Sequence, residues 1–210
     1  MLKLNQGFDT VEINASFYRF PSTGWIKAWI RSPEDFTFSI KVHRSITHLK
    51  RLKVEAVPSF ERFKNFFKDL EDRVDFWLFQ MPPNFKATVQ NMDRIRAFFR
   101  EVNLGNSAVI EFRDEGWWEV KDVCRDAGVA FCSVDAPDLP REVVCLNDVV
   151  YVRLHGREAW YDYEYSKPEL RGIVDKMLRL KAKRKAIYLN NDHGMLPNGR
   201  HLMHLVRSVK

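Results

Sequence analysis

The chain has 210 residues, of which 45% are hydrophobic, 30% charged and 13% aromatic, with only 9 glycines and 9 prolines. That excludes a disordered, collagenous or low-complexity chain and leaves ample apolar mass for a core. The net charge of +6 mildly favours anionic partners, yet a charge sum alone does not specify nucleic acid.

In chain order, the first strand expected is Thr10–Phe17, followed by a helix over Thr23–Arg31 with Trp25, Ile26, Trp29 and Ile30 on one face. Phe36–Val42 is the second strand. Ser59–Leu70, entered through Pro58, reads as a helix that aligns Phe60, Phe63, Phe66, Phe67 and Leu70. The third strand, Val74–Met81, is apolar on both alternating faces through Phe76-Trp77-Leu78-Phe79. This is the pattern of a strand covered on both sides in a parallel sheet. A helix over Asn91–Val102 presents Met92, Ile95, Phe98 and Phe99, and leads to a strand at Ala108–Phe112. A helix over Trp118–Ala127 and a strand at Val129–Val134 come next, and Pro137–Asp148 then interrupts the alternation as a loop crossover. The chain ends with strand Val149–Leu154, helix Pro168–Leu180, strand Lys185–Asn190 and helix Gly199–Val209. The Phe and Trp stripes fall at helical spacing and read as core packing.

Strand–connection units that follow one another without a linker predict a single α/β domain over residues 1–210. A doubly wound sheet and a (β/α) barrel both fit. The absence of a Gly-x-Gly-x-x-Gly or Gly-x-x-x-x-Gly-Lys-Ser/Thr turn favours the TIM-barrel-like arrangement. No run reaches the roughly 18 apolar residues that span a bilayer. The opening Met1–Gly7 has neither an apolar core nor a small-residue cleavage site, so the reading is cytoplasmic, with no leader and no membrane partner. Cys124, Cys132 and Cys145 make no Cys-x-x-Cys pair and read as reduced structural thiols.

A barrel gathers its chemistry at the carboxyl ends of its strands, and here those ends are polar. They supply Glu12, Asn14 and Tyr18; Lys41 and His43, then Arg44, Thr47, His48, Lys50 and Arg51; Gln80; Glu111 and Arg113; Asp135; Arg153 and His155; and Asn190, Asn191, Asp192 and His193. Glu12/Asn14, Lys41/His43, Glu111/Arg113 and Arg153/His155 are each two apart and share a strand face. The plain alternative is a set of interior salt bridges. Charges are costly to bury unless paired, so this many at one end favours a functional site.

Six segments, in order, carry a resemblance: Phe8–Arg19, Pro33–Lys41 with Ile46-Thr47-His48, Phe79–Phe85, Glu111-Phe112-Arg113, Tyr151–Gly156 and Asn190-Asn191-Asp192. Over essentially the whole chain the sequence resembles the YecE-like family, also called the domain of unknown function 72 family. The resemblance implies a TIM-barrel-like fold and supplies no established reaction. Members usually open with a strand ending in a Gly-Thr-Ser-Gly-aromatic turn, which has no counterpart before Thr10. The expectation is therefore seven strands with the first family strand missing, or a true start upstream. An unclosed sheet edge would invite association into an oligomer.

Four chemistries compete. A metal could use Glu12, Glu111 and Asp135 with His43 or His155, but no local ligand spacing supports it and Lys41, Arg113 and Arg153 compete for the carboxylates; no metal ligand is assigned and no cofactor is identified. Acid/base catalysis would use Glu12, Glu111, His155 and Asp135. An anion site would use Lys41, Arg113 and Arg153, whose nitrogens match phosphate or carboxylate, with Asn14, Tyr18, His43, His48, Gln80, Asn190 and Asp192 as further substrate-binding residues. The fourth is nucleic acid on the basic rim, with Trp160, Tyr161, Tyr163 and Tyr165 as stacking groups. The basic run from Lys176 to Lys185 complements a helix carboxyl end at the opposite side and reads as solvated, and His201 and His204 read as inert. No Gly-x-Ser-x-Gly elbow is present. The leading expectation is an enzyme, or a former enzyme, acting on a small anionic substrate; the alternatives are a nucleic-acid-binding module or a barrel that has lost activity.

Overall fold

The computed structural model describes residues 7–208. Residues 1–6 of the opening read for a leader, and Val209 at the end of the last expected helix, lie outside them. The chain folds into two compact units, the first ending at Val129 and the second starting at Ala130.

In the first unit β1 (Thr10–Ile13), β2 (Thr37–Lys41), β3 (Val74–Gln80) and β4 (Ala108–Glu111) pair in chain order, all parallel. The helices are α1 (Thr23–Ile30), α2 (Val57–Asn65), α3 (Val89–Val102) and α4 (Asp122–Asp126). Residues 76–80 of β3 are buried on both faces, as the unbroken apolar run required. Ser22 and Thr88 cap α1 and α3, accepting from the Trp25 and Asn91 amides. Asn103, at φ 42°, ends α3 in the left-handed conformation.

Three expected elements are shorter than their patterns by three residues or more. The strand from Thr10 stops at Ile13 because the Ser16 hydroxyl donates to both the Ile13 and Lys41 carbonyls, 2.8 Å each, and turns the chain into a 3-10 segment, Ala15–Phe17. The helix expected over Ser59–Leu70 gives way after Asn65 to a 3-10 segment, Lys68–Arg73, while Phe67 stacks on Trp29. The helix expected from Trp118 starts only at Asp122. Trp117 is stacked between Phe85 and Phe112, at 5.5 and 4.1 Å, and donates its indole N–H to the Phe85 carbonyl at 2.7 Å. Burial of these large rings contributes more than the helix propensity of one turn.

In the second unit β5 (Ala130–Asp135), β6 (Val149–Leu154) and β7 (Arg184–Leu189) also pair parallel and in order. No helix lies between β5 and β6, in agreement with the expected crossover loop at 137–148. α5 (Lys167–Arg179) and α6 (Met195–Arg207) pack Leu170, Ile173, Val174, Met177, Leu202 and Leu205 onto Val150, Val152 and Leu154. Each such side chain, fully buried, contributes roughly 1.5–3 kcal/mol over its exposed state. Apart from that crossover, the alternation of strand and helix in each unit is the α/β order of the TIM-barrel-like class. Among the described residues no helix is long and apolar enough to cross a membrane.

Candidate functional site

In the first unit the polar residues collect where the strands end. Glu12, on β1, accepts a hydrogen bond from Asn14 Nδ2 at 3.1 Å; Asn14 lies just past the strand. Phe17 is the hub that follows. Tyr18 meets its ring edge-on at 5.0 Å, the His48 ring does the same at 4.9 Å, and Lys41 Nζ lies 4.5 Å from its centroid. The turn set by Ser16 puts Phe17 there, and Lys41 arrives as the last residue of β2.

After β2 the chain runs through one turn of π-helix, Ser45–Leu49, closed by the Lys50 amide donating to the Ser45 carbonyl. Such turns are rare and recur at functional sites. Arg51 and Leu52 then adopt positive φ, 49° and 53°. His43 Nδ1 lies 2.8 Å from Ser45 Oγ, and its ring packs edge-on to Phe20 at 4.6 Å. Burial, reinforced by the Arg44 charge, holds its pKa below the ordinary value despite a hydrogen bond to the Tyr18 backbone. His48 Nδ1 lies 2.9 Å from the Thr47 hydroxyl. Burial and then the charges of Lys41, Arg113, Arg44 and Arg51 push its pKa down from 6.5 to about 4. His48 is therefore neutral at pH 7.

Gln80 closes β3 and donates to the Met81 carbonyl at 3.0 Å. Glu111, fully buried at the end of β4, is ion-paired at 2.5 Å to Arg113, whose side chain is 9% exposed. Arg51 reaches Asn84 in the turn after β3, 3.2 Å away. Phe17 thus joins Lys41, Tyr18 and His48, whereas His43 packs against Phe20 and Phe63 and Arg113 pairs with Glu111. In the sequence Phe17 stood only as the end of an expected strand, and Asn84, which holds Arg51, was given no role there.

In the second unit Asp135 ends β5 and takes three hydrogen bonds from Arg157, at 2.9 to 3.1 Å, and one from the Tyr165 hydroxyl at 3.0 Å. Arg157 also bonds Glu169 at 2.9 Å, and Glu169 accepts from Tyr163 and from Ser166 in a capping box that starts α5. These contacts pin the segment after β6. Burial and the neighbouring Asp135 charge drive the Tyr165 phenol far upward, so it stays protonated. Gly156 lets this segment fold back: at φ +108° its missing Cβ would lie 2.4 Å from the Ala159 carbonyl. Arg153 and His155 are buried at the end of β6, with Trp160 and Tyr161 each 5.4 Å from the His155 ring. Asn191 Nδ2 donates to the Tyr163 carbonyl and to Asn198; its neighbours Asn190 and Asp192 are half-buried and exposed. Arg157 carried no sequence signal, whereas Ser166-x-x-Glu169 is a capping-box pattern that could have located Glu169. Among the described residues no three His, Cys, Asp or Glu side chains come together as a metal cradle.

The fold and the polar strand ends define an α/β protein of the TIM-barrel-like class. The family model described as "Protein of unknown function DUF72" matches residues 3–208, and the chain belongs to that family, of which YecE-like is another name. A DUF72 family protein of Thermotoga maritima has a crystal structure similar to this one: TM-score 0.82 and 26% identity, covering 97% of this chain and 85% of the other. A DUF72 family protein of Enterococcus faecalis shares the fold at 19% identity, with a TM-score of 0.82, covering 95% and 85%. No curated protein matches the chain.

Proposed function

We propose that the strand ends of the first unit bind a small anion bearing a phosphate or carboxylate group. What supports this is that Lys41 Nζ and the His48 ring meet on Phe17, 4.5 and 4.9 Å from its centroid, with the charges of Lys41, Arg113, Arg44 and Arg51 lowering the His48 pKa. Lys41 and Arg113 hold the anion; Glu111 neutralises part of Arg113 and sets its direction. His48, uncharged at pH 7, donates a hydrogen bond or accepts a proton, and Glu12, steadied by Asn14, is the second proton-handling group. Arg153 and His155, both buried at the end of β6, are assigned the same kind of role in the second unit. Asp135, whose oxygens serve Arg157 and Tyr165, is left to positioning.

Calorimetric titration of the whole protein with inorganic phosphate and with acetate tests this reading. Saturable binding of at least one anion is expected, weakened roughly tenfold or more in Lys41→Met, as for loss of a hydrogen bond to a charged group. No saturable binding of either anion at low salt overturns it.

A further inference from the structure

We propose that residues 157–162 form a gate over the buried His155, hinged at Gly156 and held shut by Arg157. The gate stands on the closure of this segment and not on anion binding.

His155, just past the end of β6, is fully buried. The stretch that follows closes around it. The Tyr161 amide donates to the His155 carbonyl at 2.6 Å, and the Trp160 and Tyr161 rings lie 5.4 Å from the imidazole. Yet the covering stretch is itself thinly packed. None of residues 157–162 is buried, Tyr161 is 42% exposed, and no helix or strand runs through them. β6, which leads into them, is buried throughout. A segment with few buried contacts opens at a lower free energy than the core beside it. Tyr161 also sits at φ 71°, a left-handed conformation that bulky residues rarely adopt, so the closed form holds backbone strain.

Both ends of the gate are fixed. The Gly156 amide donates to the Tyr165 hydroxyl at 2.9 Å, and the Tyr165 backbone exchanges two hydrogen bonds with Asn198, at 3.1 and 2.9 Å. Gly156, at φ +108°, supplies a backbone conformation suited to a hinge. Between these anchors the charged ties are those of Arg157, three hydrogen bonds to Asp135 and one to Glu169, and the Tyr163 hydroxyl adds one to Glu169. Charge-assisted bonds of this kind are the strong ones. Release of Arg157 therefore frees the middle of the segment to swing out and uncover His155 while β6 stays folded.

Two measurements on the whole protein at pH 7 test this: amide hydrogen exchange by NMR, and diethyl pyrocarbonate modification of histidines read by mass spectrometry. Relative to the exposed His204, His155 should be protected from modification, but by a smaller factor than the β6 amides are protected from exchange. Arg157→Gln should raise both His155 modification and Tyr161 amide exchange roughly tenfold or more, with β6 protection unchanged. Tyr163→Phe removes one outer tie and should raise both by a smaller factor; it decides the matter if Arg157→Gln lowers β6 protection as well. The gate is overturned if His155 is as reactive as His204, if its protection equals that of β6, or if neither variant speeds its modification with β6 protection intact. No anion enters these measurements, so that result leaves the anion-binding reading standing, and failed titrations with phosphate and acetate leave the gate standing.

Discussion

Glu111→Gln removes one charge from a buried pair and leaves its partner behind. Glu111 is fully buried, the Arg113 side chain is 9% exposed, and the two groups lie 2.5 Å apart. A guanidinium that loses this partner in so buried a setting is poorly compensated, and breaking a buried pair from one side costs about 3–5 kcal/mol. In a chain of this length each kcal/mol moves Tm by about 2–4 °C, so the variant should melt on the order of 10 °C lower. The double variant Glu111→Gln/Arg113→Met removes the stranded charge and should recover most of the loss. Urea unfolding of wild type, both single variants and the double gives the coupling energy directly. A Glu111→Gln loss below about 1 kcal/mol, or a double variant as unstable as the sum of the singles, would refute the argument that pairing governs this site.

Three further outcomes are expected. His48 takes a proton less readily when folded, at about 4 against 6.5. Its contribution to stability is whole above pH 6.5 and is lost as pH falls toward about 4, so the urea midpoint should drop over that window and His48→Asn should flatten part of the drop. Gly156→Ala forces a Cβ to within 2.4 Å of the Ala159 carbonyl and 2.6 Å of Tyr163 Cβ, at φ +108°; a loss of about 1–3 kcal/mol is expected in urea unfolding, and a neutral result would contradict the fold-back of that segment. Ser166→Ala deletes the capping box of α5 and should cost about 1 kcal/mol in the same assay.

The elements legible in the sequence were those whose apolar pattern and packing agree. Val149–Leu154 has the expected bounds and β3 ends within a residue of them, because an apolar run covered on both faces leaves no other period. The breaks in the pattern were not legible. Ser16, an ordinary polar residue in sequence, ends β1 through a hydrogen bond to Lys41, 25 residues away. Trp117 resembles any helix-face aromatic until Phe85 and Phe112 enclose it. At the strand ends, residue types and two-residue spacing were enough to nominate Lys41, His48, Glu111 and Arg113. They did not reveal that Phe17 joins Lys41 to His48, nor that Arg157 occupies the oxygens of Asp135. Those facts depend on long-range packing, which leaves no local period.

Because His48 sits among the cations assigned to the anion, its own titration reports whether they receive one. NMR of the His48 ring across pH 3–8, with and without inorganic phosphate, measures this. Without phosphate the midpoint should lie near 4. A phosphate dianion held by Lys41 and Arg113 would offset their charges and raise the midpoint toward 6.5. A midpoint that saturating phosphate leaves unchanged, or one already near 6.5 without it, would contradict the account.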